Sequence, residues 1–112
     1  MPFTPEQMRT LVDGGGLAVE LPATREGHRR FVTVGWHKLA MAGTPEFAAE
    51  PMTYVGLVYE IHESAMDTWV SNLDMRDRAS FQTESEEEIV QFAARYAPID
   101  AYNKFLHVGA PR

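Results

Sequence analysis

A chain of 112 residues without cysteine fits a single domain, residues 1–112, and cannot form disulfides, thiol nucleophiles or cysteine-ligated metal sites. Its 45% hydrophobic and 23% charged residues are typical of a folded globular protein and exclude a disordered chain. The formal net charge of −6 argues against nucleic-acid binding, which needs a surface of clustered basic groups.

The first predicted element is a helix that begins after Thr4. Thr4 is a suitable N-cap, Pro5 suits the first helical position, and Gln7 completes a capping box with Thr4. The glycine run at 14–16 ends this helix, because glycine adopts the left-handed conformation of a helix C-terminus at little cost.

Strands dominate the middle of the chain. The alternation of side chains predicts three of them, at 17–21, 29–37 and 53–62. Residues 23–28 form a turn between the first two strands. The proline-rich segment 40–52 separates the second strand from the third, and Thr44 with Pro45 can start one short helical turn within it.

After the third strand, the pattern changes to helix and strand in turn. Ser64 and Asp67 form an S-x-x-D capping box ahead of a short amphipathic helix at 65–73. We expect a charged loop at 74–78 and then a short fourth strand at 79–83, centred on an aromatic residue.

Two helical segments end the chain. Ser85 caps the first, with Glu88 at its third position. The spacing of four apolar residues indicates the second: Ile99, Tyr102, Phe105 and Leu106. Strands outnumber crossover helices, so we predict a small α+β domain with a three- to four-stranded, mainly antiparallel sheet and helices packed on one face.

Glu60 and His62 are the best pair for chemistry, because residues two apart on a strand share a face. A carboxylate beside an imidazole suits a general base or a metal ligand. Tyr54 on the same face and His37 on the neighbouring strand would complete a small catalytic site. The favoured interpretation is nevertheless an ordinary solvated strand end. No metal site is predicted, since such sites need three or four ligands.

Gly35 and Gly56 interrupt the second and third strands, and we expect both on the face that carries Glu60 and His62. One interpretation is a shallow pocket with a glycine floor. The favoured interpretation is that a helix or an aromatic ring packs over these glycines, because one face of an α+β sheet is covered.

Arg25, Arg29 and Arg30 form the basic cluster of the sequence. Arginine forks bind phosphate and carboxylate groups, so these three residues are candidates for contact with an anion or an acidic partner. Ordinary surface decoration of a turn is the alternative. Nucleic-acid binding would also need exposed aromatic platforms, whereas Phe31 and Trp36 have the pattern of core residues.

Glu86, Glu87 and Glu88 are candidates for binding a basic partner. Their position at a helix start also has a structural explanation, because negative charge complements the helix dipole there. Met66 and Trp69 on the 65–73 helix are further partner-binding candidates, since tryptophan is frequent at interface hot spots. Packing in the core is the alternative for both.

These observations favour a non-enzymatic regulator or inhibitor that docks on another protein with a basic surface, with a symmetric homodimer as one arrangement. A small enzyme that uses Tyr54, Glu60 and His62 is the first alternative, and anion binding is the second. No motif indicates a cofactor. Without a leader pattern or a long apolar run, we expect a cytoplasmic protein that does not enter membranes.

Overall fold

The structure is a computed structural model, and it describes residues 2–13, 15–38, 40–65 and 75–104. The helices are α1 (Pro5–Val12), α2 (Pro45–Ala49) and α3 (Glu86–Ala94). The strands are β1 (Leu17–Leu21), β2 (His28–His37), β3 (Thr53–His62), β4 (Met75–Thr83) and β5 (Asn103–Lys104). Short 3₁₀ turns occupy Glu63–Ala65 and Ile99–Ala101.

The sheet has five strands in the order β4-β3-β2-β1-β5, and every neighbouring pair is antiparallel. The first four strands follow each other as spatial neighbours. The chain then passes through α3 and places β5 beside β1 at the other edge of the sheet. The predicted α+β fold with a mainly antiparallel sheet is confirmed, and the sheet has five strands instead of three or four.

β4 starts at Met75, so the charged loop predicted at 74–78 is wrong over most of its length. Arg76 pairs with Glu60 of β3, and a β-bulge follows before the pairing of Ala79 with Val58. Charged side chains are usual on an edge strand that faces water, so the charges of this segment do not distinguish a strand from a loop.

In its described part, the predicted last helix is limited to a single 3₁₀ turn. A 3₁₀ turn at Ile99–Ala101 leads into β5, where Asn103 and Lys104 pair with Ala18 and Leu17 of β1. This pairing partner lies far away in sequence, so local spacing does not reveal it. Phe105 and Leu106 lie outside the described residues, as does the helix predicted at 65–73 apart from Ala65.

The main core lies between the sheet and the two longer helices. Thr4 caps α1 through the predicted capping box, and the Trp36 indole donates a hydrogen bond to the Leu11 carbonyl at the end of α1. The fully buried side chains of this core come from α1, the strands, α3 and the C-terminal segment: Leu11, Leu17, Val32, Val34, Val58, Ile89 and Tyr102. Among the described residues, no helix has the length and apolar character to cross a bilayer.

Gly35 and Gly56 lie on opposite faces of the sheet, which corrects the prediction that they share one. Val34 pairs with Gly56, and Gly35 pairs with Val55, so alternation separates the two glycines. Gly56 lies under the ring of Phe92 from α3, as the favoured interpretation predicted. Gly35 lies on the other face, where Phe31, Tyr59 and Ile61 form a second buried cluster.

Candidate functional site

The first turn of α3 carries a group of exposed carboxylates at the end of β4. Ser85 accepts a hydrogen bond from the Glu88 backbone N–H at 3.2 Å, which confirms the predicted cap. Glu86, Glu87 and Glu88 all have exposed side chains in this turn. Their charges lie at the positive end of the helix dipole, which stabilises them there.

A groove of about 330 Å³ lies beside these carboxylates. Its lining residues are Pro2, Glu86, Glu87, Val90 and Gln91. Val90 is only 9% exposed and provides an apolar base, while the two glutamates supply negative charge at the wall. An aliphatic side chain with a neighbouring lysine or arginine would complement this arrangement.

The three glutamates differ in what they do within the chain. Glu88 accepts a hydrogen bond from the Thr83 hydroxyl at 2.8 Å, which ties it to the end of β4. Glu87 accepts a long hydrogen bond of 3.5 Å from the Gln91 amide. Burial raises the pKa of Tyr54, and the negative charge of Glu86 raises it further. Of the three glutamates, Glu86 and Glu87 line the groove.

Glu60 is fully buried, which contradicts the expectation of a solvated strand end. The β1–β2 connection folds back over it, so its carboxylate accepts hydrogen bonds from the Thr24 backbone N–H at 2.7 Å and from the Thr24 hydroxyl at 3.0 Å. Arg25 forms an ion pair with it at 3.0 Å. The Thr24 N–H, together with the Thr24 hydroxyl and Arg25, lowers the pKa of Glu60 despite its burial.

Tyr54 and His37, two other members of the predicted catalytic set, lie far from Glu60. His62 lies two residues from Glu60 on β3, on the same face of the strand. Tyr54 is six residues along β3, which is about 20 Å for an extended strand, and it is buried under the helices. His62 is exposed and hydrogen-bonds Ser64 at 2.8 Å. His37 pairs with Thr53 at the opposite end of the sheet and on the opposite face. The structure does not bring all four residues together.

The three arginines do not form one anion site either. Arg29 and Arg30 are neighbours on β2 and therefore face opposite sides of the sheet. Arg29 binds Glu20 of β1 through two hydrogen bonds, at 2.8 and 2.6 Å, and this contact lowers the pKa of Glu20. Arg25 binds Glu60. Carboxylates of the same chain thus engage two of the three guanidinium groups.

The described residues contain no group of three or more histidine, aspartate or glutamate side chains that could hold a metal ion. His28 and His62 do meet across β2 and β3, with ring centroids 5.0 Å apart in an edge-to-face arrangement. Two imidazoles fall short of the three or four ligands that zinc sites use.

Sequence reasoning missed a cleft of about 520 Å³ between α1 and β5. Glu6, Asp100 and Lys104 are the charged residues in its wall. These residues come together only because β5 pairs with β1, a contact without a local sequence signal. The wall of the cleft contains two carboxylates and one ammonium group, so it does not select ligands of one charge.

Met66 and Trp69, the other predicted partner-binding residues, lie outside the described residues. Within them, the groove at the start of α3 is the place where the structure combines predicted partner-binding residues with a concave apolar surface. Comparison with protein-family models, with curated proteins and with solved structures gave no match to this chain.

Proposed function

We propose that this chain is a non-enzymatic interaction protein that docks on a basic partner through the groove at the start of α3. One observation supports the proposal above all: Glu86 and Glu87 line the same groove as the apolar residues Pro2 and Val90. A charged rim around an apolar centre is the usual anatomy of a protein interface. The absence of cysteine suits a reducing compartment, and we propose the cytoplasm as its location.

The partner that fits this groove is a protein segment with an aliphatic residue next to lysine or arginine. Contact of the aliphatic side chain with Val90 would contribute affinity through burial of apolar surface. The carboxylates would select basic partners and accelerate association, and this contribution would weaken as salt rises.

Capture experiments with charge-reversed variants test the proposal. The protein is immobilised, exposed to lysate of cells that express it, and the retained proteins are quantified by mass spectrometry at moderate salt. We expect Glu86→Lys/Glu87→Lys to lose a basic partner that the unmodified protein retains. Each of these carboxylates is exposed, so the variant should keep its fold.

Glu6→Lys is the matched control, because Glu6 and Glu87 both occupy the second position of an α-helix. Reversal at either site costs similar dipole stabilisation, about 0.3–1 kcal/mol. Retention of the partner by Glu6→Lys and its loss from the double variant would support the groove. Equal recovery from both variants, or no specific partner at all, would reject it.

A further inference from the structure

β4 forms one edge of the sheet, and part of this edge is regular and uncharged. Ala79–Thr83 pairs in unbroken register with Val58–Tyr54 of β3. This five-residue segment, with the sequence ASFQT, contains no charge, proline or glycine. In the part of the chain that the structure describes, no strand pairs with the outer side of β4.

Sheet edges normally carry features that prevent pairing with other chains, because their outward N–H and C=O groups are unpaired. In β4 such features are confined to the first half. Arg76 and Arg78 lie there, and so does the β-bulge. From Ala79 to Thr83 the strand keeps an unbroken register with β3, and the side chains of Ser80 and Gln82 are exposed.

The charges on either side of this segment have opposite signs. Arg78 precedes it and Glu84 follows it, and both side chains are exposed. An antiparallel pairing of two copies centred on Phe81 would place Arg78 of one copy opposite Glu84 of the other. Parallel pairing would instead oppose like charges, which is destabilising.

The same centring aligns the whole regular segment with itself. Ala79 would oppose Thr83, and Ser80 would oppose Gln82. Ser80 and Gln82 share one face of the strand by alternation. Arg78 immediately precedes the regular segment and Glu84 immediately follows the end of β4, so antiparallel pairing would bring Arg78 of one copy and Glu84 of the other to the same end of the paired segments. Phe81, on the other face, stacks on Phe92 with ring centroids 5.5 Å apart, which keeps the centre of the segment rigid.

We propose that two copies of this chain associate through antiparallel pairing of their β4 edges, with Phe81 at the two-fold axis and two symmetry-related Arg78–Glu84 ion pairs. This association is independent of the groove at the start of α3. A strand-to-strand contact of this length is small compared with a standard interface, so the dimer should depend on concentration.

Sedimentation equilibrium over a wide concentration range tests the association directly. The unmodified protein should pass from 12.6 kDa to twice that mass as concentration rises. Arg78→Glu and Glu84→Arg should each raise the dissociation constant of the dimer by about tenfold or more. Each single variant replaces both ion pairs across the axis with pairs of like charge. Far-UV circular dichroism checks that the variants remain folded.

The charge-swapped variant Arg78→Glu/Glu84→Arg is the decisive sample, because it restores opposite charges across the axis. We expect it to regain the dimer of the unmodified protein. Within one chain the five strand residues 79–83 separate Arg78 from Glu84, about 17 Å of extended chain, so recovery cannot come from an internal ion pair. An unmodified protein that stays monomeric at all concentrations would overturn the proposal. So would a double variant whose dimer is weakened by the two single effects combined.

Cysteine cross-linking tests the register without background, since the chain has no cysteine. Ser80→Cys mixed with Gln82→Cys should form the mixed disulfide faster than either variant cross-links with itself, because residues 80 and 82 oppose each other in the proposed pairing. Random disulfide formation among all three combinations would reject pairing centred on Phe81, even if a dimer forms.

Discussion

Gly56 of β3 lies directly against the ring of Phe92 from α3. A Cβ atom added there would clash with this ring, and backbone and ring would have to move apart. We predict that Gly56→Ala lowers the free energy of unfolding by about 1–3 kcal/mol, the usual cost of overpacking a filled core. Urea denaturation followed by circular dichroism measures this loss.

Gly35→Ala is the matched control, because Gly35 is also in a central strand but, among the residues that the structure describes, no atom outside its chain neighbours lies within 4 Å of its added Cβ. Its stability should stay the same or rise slightly, since alanine restricts the unfolded chain. Equal losses at the two positions would show that strand backbone effects, and not contact with Phe92, determine the result.

Glu60 joins the β1–β2 connection to β3 through Thr24 and Arg25. Because these contacts lower its pKa in the folded state, its ionised form stabilises the fold above the unfolded pKa of about 4.3. This stabilisation disappears as pH falls through the lower, folded value. We predict that Glu60→Gln is less stable at neutral pH and loses less stability on acidification, as measured by urea denaturation at a series of pH values.

Glu26→Gln provides the comparison for that experiment, because Glu26 belongs to the same connection but has an exposed side chain. It should retain both the neutral-pH stability and the acid sensitivity of the unmodified protein. An unchanged acid sensitivity in Glu60→Gln would assign the effect to other carboxylates, with Glu20 beside Arg29 as the first to examine.

At the scale of elements, Gln7 links α1 to the C-terminal segment. Its buried amide donates hydrogen bonds to the carbonyls of Ile99 and Tyr102, at 2.8 and 2.9 Å, and accepts one from the Thr4 N–H. The same side chain therefore completes the capping box and holds the segment that leads into β5. Removing it should disturb both elements together.

We predict that Gln7→Leu destabilises the protein by about 1–3 kcal/mol, because buried carbonyls lose their donors. Thermal and urea unfolding measure the effect. Gln91→Leu makes the same exchange at an exposed position of α3 and should change stability by less than about 0.5 kcal/mol. A similar small change at Gln7 would mean that the two carbonyls find other donors.

At the scale of the whole molecule, a buried tyrosine supports each face of the sheet. Tyr59 packs in the cluster with Phe31, and burial raises its pKa to about 12. Tyr102 packs in the main core and donates a hydrogen bond to the Ala93 carbonyl at 2.7 Å, and burial raises its pKa as well. The folded protein therefore favours the protonated form of both hydroxyls.

The sign of the resulting pH dependence follows from these raised values. Above the unfolded tyrosine pKa of about 10, the unfolded chain loses protons that the folded protein retains, so stability falls as pH rises. We predict a decline in the free energy of unfolding from pH 10 upward. Urea denaturation of Tyr59→Phe and Tyr102→Phe should show a shallower decline in each, and unchanged slopes in both would reject this assignment.

Local signals made much of the fold predictable. Thr4, Thr44 and Ser85 each accept a backbone hydrogen bond at a helix start, as their positions in the sequence predicted. Alternation located β1 and β3 at their observed bounds. These features depend on contacts between residues only a few positions apart in the sequence, so local residue patterns are enough to predict them.

The sequence by itself therefore determined the helix starts, the central strands, the α+β class and the acidic first turn of α3. Tertiary structure alone decided that Glu60 is buried and not at a solvated strand end, because its partner Thr24 lies 36 residues away in the chain. It also decided the pairing of β5 with β1, the opposite faces of the two strand glycines, and the groove beside Glu86. Each of these depends on register and long-range packing, which local residue patterns do not encode.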